Sequence, residues 1–338
     1  MRPFDIVSGK GFHQVAQTLI NIGPKFGAVD AGAILPHRQT VCDRAKKQAS
    51  IDKQTLSEAI QKALSCNSGI AVTTDMWTDE FKKRAYTVPT SHYISEWKLE
   101  SLILATVEFD PTLKKNSENL HEQITSVLTS YGIQPGKIVF VSDQDSNIKA
   151  ALRSYHWIPC SAQILNTVLR HTFSKKDDSE SIEDVVDMID YCKEHMAYLK
   201  RTGAIASLKH TVNQECDVRW NSKVTMLESI QTQYQDIREL LENRHQEHRL
   251  DGIHQDQLTH LIDFLTLFKL AISELEGEHC ATIHMMFFWF FKLKKHCEPK
   301  FGDPPYMKSL RSCASALFDE KMCPTATHKI GTFSPPEI

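Results

Sequence analysis

The sequence predicts a mixed α/β domain flanked by helical regions. Three observations carry this. Short β-favouring runs cluster between residues 68 and 173. Apolar residues recur at helical spacing on both sides of that stretch. The longest aromatic run, Met285–Phe291, has seven residues, far short of the roughly 20 that span a bilayer, so it predicts a buried helix and no membrane segment. With 338 residues, 41% hydrophobic and 24% charged, the chain has room for two or three ordinary globular domains.

Residues 1–67 form the first module. Phe12, Val15, Leu19 and Ile20 make one apolar stripe, closed by Gly23-Pro24. Thr40 is placed to cap a helix carrying Val41, Arg44, Lys46 and Lys47, and Ile51, Leu56, Ile60 and Leu64 make a second stripe. Residues 68–173 change period. Strands are expected at Ile70–Thr74, Ala85–Ile94, Leu99–Phe109, Lys137–Ser142 and Trp157–Cys160. Pro89 argues that the second is irregular or at an edge. Helices are expected from Asn116 or Ser117 to Tyr131, from Asn147 to Ser154 and from Ala162 to Phe173. The order β-β-β-α-β-α-β-α gives three antiparallel strands followed by parallel crossovers, a mixed five-stranded sheet flanked by helices. The charged run Ser174–Ser181 marks a boundary, and 174–324 reads as all-helical. Residues 325–338, with Pro335 and Pro336, have no apolar period and read as an irregular tail.

The formal net charge of −3 and a pI near 6.6 give no overall argument for nucleic acid. Residues 1–50 carry a mild basic excess, which fits a phosphate-facing surface or a solvated helix face equally. Nine scattered cysteines, with no Cys-x-x-Cys pair, form no zinc-ribbon pattern. They read as reduced, mostly buried thiols of an intracellular protein. His279-Cys280 with His284, and the histidines from His245 to His260, have irregular spacing and read as packed or solvated side chains.

Two apolar runs end on acids: Ile70–Thr74 on Asp75, and Lys137–Ser142 on Asp143. If their strands are neighbours, the two carboxylates meet. Hard oxygen ligands suit Mg²⁺, which takes one or two protein carboxylates. Paired ions can activate an attacking oxygen and stabilise a leaving one. On pattern alone each acid more often fills a strand-end or helix-cap role, common in any α/β domain. Asp79 and Asp145 are weaker candidates, one on a loop and one capping the next helix.

An ordered set of stretches resembles the hAT family of DNA transposases, of the Hermes and hobo type. It comprises Arg2-Pro3-Phe4, Val7-Ser8-Gly9, Gly11-Phe12, Leu35-Pro36, Asp75-Met76-Trp77-Thr78-Asp79, Phe140-Val141-Ser142-Asp143 and Asn147. It continues through Cys160-Ser161, Leu165-Asn166-Thr167-Val168-Leu169, Arg219-Trp220-Asn221-Ser222 and Met226-Leu227. The resemblance implies an RNase H-like core at 68–173, preceded by a helical DNA-binding and dimerisation module and followed by a helical insertion domain. It implies an Asp-Asp-Glu triad on Mg²⁺ or Mn²⁺, with Asp75 and Asp143 as the first two acids. It also implies Trp77, Arg219 and Trp220 as DNA contacts, a nuclear location, transposon ends and flanking DNA as partners, and a homo-oligomer. Packing alone would also account for Trp77 and Trp220.

Three departures stand against it. No third acid has the expected context; Asp319, Glu320 and Glu337 are present without it. The family's Cys-x-x-His reads here Cys160-Ser161-Ala162-Gln163, and glutamine can hydrogen-bond a phosphate but cannot take up a proton or a positive charge. The family's BED-type zinc finger has no Cys/His match. The expectation is a chain corresponding to the amino-terminal two-thirds of such an enzyme and catalytically deficient alone. A co-opted, non-enzymatic DNA-binding or dimerisation protein is the second reading, and an unrelated RNase H-like nuclease the third.

Overall fold

The computed structural model describes residues 9–27, 36–65, 69–79, 81–134, 136, 138–174, 180–210, 212–213, 215, 219–277 and 280–333. The chain divides into two compact units, Met1–Ile60 and Gln61–Ile338. The first holds α1 (Lys10–Phe26) and most of α2 (Arg38–Ser65). Gly23-Pro24 does not end α1: the Gly27 amide closes a further turn on the Gly23 carbonyl at 2.8 Å. The helix expected after Thr40 begins at Arg38 and runs unbroken through the stripe of Ile51, Leu56, Ile60 and Leu64, because neither Gly nor Pro occurs between Pro36 and Gly69 to break it. The stripe Phe12, Val15, Leu19 and Ile20 is exposed.

The second unit opens with the sheet. β1 (Ile70–Asp79), β2 (Arg84–Ser95), β3 (Lys98–Ile103), β4 (Val107–Glu108), β5 (Ile138–Ser142) and β6 (His156–Pro159) are arranged β3-β2-β1-β5-β6, with β4 also on β2. The β1–β2, β2–β3 and β2–β4 pairs are antiparallel; β1–β5 and β5–β6 are parallel. The sheet is thus mixed, as expected, with one strand more. The expected third strand splits because β2 offers it no donor at Pro89. β3 pairs with Thr90–Ser95, β4 with Tyr86 and Thr87, and the gap between them lies beside Pro89. There the Leu104 amide bonds the Pro89 carbonyl at 3.0 Å. Pro89 therefore sits in an interior strand, not at an edge.

Alternation puts Ile70, Val72, Thr74, Phe140 and Ser142 on the buried face of the sheet. Helix α3 (Ser117–Ser130) packs near that layer through Leu120, Ile124, Val127 and Leu128. The Asn116 side chain caps it on the Asn119 amide. The Tyr131 hydroxyl donates to the Leu104 carbonyl at 2.7 Å, and the Thr87 hydroxyl to Gln123 at 2.9 Å. A short helix α4 (Ser146–Ala151) follows β5, capped by Asp145.

After β6 the described elements are all helical. The elements are α5 (Ser161–Thr172), α6 (Glu180–Arg201), α7 (Trp220–Thr232), α8 (Tyr234–Glu242), α9 (Gln255–Leu275), α10 (Met285–His296), α11 (Pro305–Lys321) and α12 (Ala326–Phe333). One apolar cluster joins Ala162 on α5 to Phe318 and Met322 at the end of α11. Two expectations change here. The aromatic run is only half buried: Met286 and Trp289 face the core, while Phe288 and Phe291 are exposed. The tail is not irregular throughout, because α12 forms at 326–333. Its start is a reciprocal cap in which His328 replaces the usual Glu or Gln: the Thr325 amide donates to His328 Nδ1 at 3.1 Å, and the His328 amide approaches the Thr325 hydroxyl at 3.5 Å. Residues 334–338, with Pro335, Pro336 and Glu337, lie outside the described residues, as do 1–8 and most of the charged run at 174–181. Among the described cysteines only Cys192 and Cys297 are buried; Cys42, Cys280 and Cys323 are exposed, so the thiols are not mostly interior.

Candidate functional site

β1 and β5 pair in parallel from Ile70↔Ile138 to Thr73↔Val141. Carrying that register two residues further sets Asp75 opposite Asp143. Their strands behave differently. β5 ends at Ser142, so Asp143 stands just past its carboxyl end, whereas β1 runs on through Asp75 to Asp79, held by β2. Asp75 therefore lies within a strand and not at its end.

The two carboxyls feel each other. Burial pushes the Asp143 carboxyl above its usual range, the Asp145 amide pulls it back, and the charges of Asp75 and Asp145 push it up again. The Asp145 amide donates to Asp143 Oδ1 at 3.2 Å. Ser142 fixes the backbone here: its hydroxyl donates to the Asp143 carbonyl and accepts from the Trp157 indole, both at 2.9 Å. Asp145 is engaged in capping α4 through the amides of Asn147 and Ile148. Two carboxylates facing each other where the parallel pairing of β1 with β5 runs out suit a hard divalent cation, which would relieve their mutual repulsion. Among the described residues no cluster of three or more His, Cys, Asp or Glu forms a metal site. The other acids considered are engaged elsewhere: Asp319 with Lys294 at 2.6 Å and Glu320 with Lys321 at 3.0 Å.

Trp77 shares a sheet face with Asp75, two residues on. Its ring is 47% exposed and stacks on Tyr86, its cross-strand partner, at 4.7 Å. Trp220 differs. It is 6% exposed and packs on Phe173 at 4.7 Å, with the Lys223 ammonium over its ring. An indole so enclosed offers no face to an extruded base; packing explains it. Arg219 precedes α7 and is exposed, and Gln163 is exposed on the first turn of α5.

Two residues escaped the sequence reading in these roles. Asn166, quoted there only as part of a matching stretch, is buried on α5. Its side-chain oxygen accepts the Trp220 amide at 3.0 Å, and its NH₂ donates to the Ala162 carbonyl at 3.1 Å. It thus caps α7 from another helix and ties Arg219-Trp220 to α5. Glu276 follows α9; burial pushes its carboxyl up and the Arg219 charge pulls it down. Both Glu276 and Asp143 raise the Cys160 thiol, itself pushed up chiefly by burial and drawn down by the amides of Gln163 and Ala162. Glu276 thus lies within electrostatic range of both Arg219 and Cys160, and Cys160 within range of Asp143. A lone Asn or Glu at these positions carries no signal in one sequence.

Residues 1–40 match the Hermes transposase DNA-binding domain, and residues 73–179 match the ZBED1 RNase-like domain. The second match contains Asp75, Asp143 and Gln163. Over 308 residues the chain is 28% identical to the transposable element Hobo transposase of Drosophila melanogaster, covering 89% of this chain and 46% of the relative. These matches liken the chain to transposases of the Hermes and Hobo type. It is also 22% identical to zinc finger protein 618 of mouse and of human over 336 residues, 98% of this chain and 34% of each relative. The chain spans less than half the length of these curated relatives.

Proposed function

We propose that this chain, as a protein of the hAT type, acts on DNA in the nucleus through an RNase H-like core at 68–173, with a DNA-binding and dimerisation module at 1–67 and a helical insertion domain beginning at 174. The observation that carries the reading is the juxtaposition of Asp75 and Asp143. We assign both carboxylates as ligands for Mg²⁺ or Mn²⁺. Such ions, when bound, polarise a phosphodiester and activate the attacking oxygen. The chain's own part is positional. Ser142 and the Asp145 amide hold Asp143; the continuation of β1 along β2 holds Asp75, opposite Val88. Asp143, whose proton is retained to higher pH, gives it up on engaging a cation. Trp77 offers a stacking face, worth about 1–3 kcal/mol per base. Arg219 and Gln163 offer donors to phosphate oxygens. Transposon ends and their flanks are the DNA we assign, bound by a homo-oligomer.

A specific observation favours a second reading, a co-opted DNA-binding protein: no third carboxylate joins the pair among the described residues. One experiment divides them. Mn²⁺ binding is followed by electron paramagnetic resonance, and nicking of transposon-end DNA by gel, for the wild type and for Asp75→Asn and Asp143→Asn. Metal binding and nicking that both vanish in the variants support the enzyme. Metal and DNA binding without nicking support co-option. A wild type that binds no Mn²⁺ refutes the acid-pair assignment.

A further inference from the structure

The turn joining β1 to β2 exposes Phe81 almost completely, at 95%. Lys82 and Lys83, which follow it, are exposed as well. A bare phenyl ring at a strand junction gains nothing in water, so its surroundings matter. The neck of this hairpin is firmly built. Asp79 Oδ1 accepts the amides of Phe81 and Lys82 at 2.9 and 3.1 Å. Arg84, opposite Asp79 in register, is paired with Glu108 at 3.1 Å. Below them Trp77 stacks on Tyr86. Lys83 has φ 55°, a left-handed conformation that ordinary residues avoid. The nearby Asp79 and Arg84 charges are thus already engaged, and a ring with two lysines is presented on a fixed stem.

That stem is the strand carrying Asp75. From Asp75 to Asp79 is four residues, or about 13 Å at 3.3 Å each. This equals about four nucleotides of duplex rise at 3.4 Å per strand position. Lysines neutralise phosphates, and an aromatic face stacks on any base that is not already paired and stacked.

We propose that Phe81, with Lys82 and Lys83, forms a contact for unpaired DNA about four nucleotides from the acid pair, the ring stacking on a base and the ammoniums facing the backbone. The inference rests on the DNA-acting reading above. It adds a contact that prefers strand ends, gaps or frayed flanks over intact duplex.

The test uses the full chain and two fluorescent probes of equal duplex length, one blunt and one with a short single-stranded extension. Anisotropy gives Kd against salt for each. Phe81→Ser is expected to weaken binding of the extended probe about 5- to 150-fold, the range of one aromatic–base stack, and to leave the blunt probe unchanged. Lys82→Ala with Lys83→Ala is expected to weaken both and to reduce the salt slope by about 0.7–0.9 per lysine. Full exposure of all three side chains protects the fold of these variants. Wild-type affinity for the extended probe in Phe81→Ser overturns the inference while the DNA reading stands. A wild type that binds neither probe overturns both.

Discussion

Asn166→Ala removes the one side chain through which α5 caps α7. The acceptor for the buried Trp220 amide is lost, and caps of this kind are worth about 0.5–2 kcal/mol. The second Asn166 bond, to the Ala162 carbonyl, adds little, because that carbonyl already serves the helix ladder. For a unit the size of 61–338, each kcal/mol moves Tm by about 2–4 °C, so a fall of about 1–8 °C is expected by tryptophan fluorescence on heating. Asn166→Leu separates capping from packing. It keeps the branched outline, with bulkier methyl groups, but leaves the Trp220 amide buried without an acceptor or room for water, which costs about 1–3 kcal/mol. Its Tm is expected at or below that of Asn166→Ala. Asn166→Asp keeps one acceptor for Trp220 and turns another oxygen on the Ala162 carbonyl, and is expected between wild type and Asn166→Ala. A leucine variant that melts with the wild type refutes the reasoning, since the bond would then carry no stability.

Three further outcomes are expected. The β2–β3 turn places Glu96 and Trp97 at φ 50° and 64°, where ordinary residues cost about 1–2 kcal/mol each; Glu96→Asn with Trp97→Gly is expected to raise the urea midpoint, and an unchanged midpoint would show that the turn is unstrained. His195 is buried, both ring nitrogens lack hydrogen-bond partners among the described residues, and burial, aided by the Arg249 charge, pushes its pKa down to about 4. The unfolded chain takes this proton below about 6.5 and the native one only below about 4, so stability present above pH 6.5 is lost as pH falls to 4, by about 3 kcal/mol in all; His195→Phe should flatten the pH dependence of the urea midpoint in that window. Burial pushes Cys192 and Cys297 up to about 12, so a thiol reagent at neutral pH should label Cys42, Cys280 and Cys323 well before either, as read by peptide mass mapping.

Much of this layout was legible because it is local. The run 70–74 alternates and is rich in β-branched residues, and the sheet begins there; Asn116 and Asp145 are capping residues that cap. What was misplaced depends on partners far along the chain. β1 outruns its apolar run because Arg84–Val88 pair with Asp75–Asp79, and polar residues at a strand's end give no period to read. The break in the third strand is set by Pro89 on its neighbour. The start of α12 was missed because a histidine fills the place where a Glu or Gln would announce a cap. At the site, the two acids were visible as ends of apolar runs and their pairing followed from topology. Trp77 and Trp220 looked alike in sequence; only burial tells the half-exposed ring from the enclosed one. Asn166 and Glu276 had no pattern to give them away.

The parallel pairing of β1 with β5 has a kinetic side. The β1–β2–β3 hairpins are local, but Ile70 meets Ile138 only after a closure of 68 residues (138 − 70). Closing such a loop costs about 4 kcal/mol beyond a constant, so folding through it is slow relative to hairpin formation. Asp75 and Asp143 are strangers until that step is complete. A cation that needs both therefore has no binding site in the hairpin stage, and engages only chains in which β5 has docked. At one hundred times its Kd it would deepen the folded state by about 2.7 kcal/mol and leave the early hairpins untouched. Added Mn²⁺ should then slow unfolding without speeding refolding.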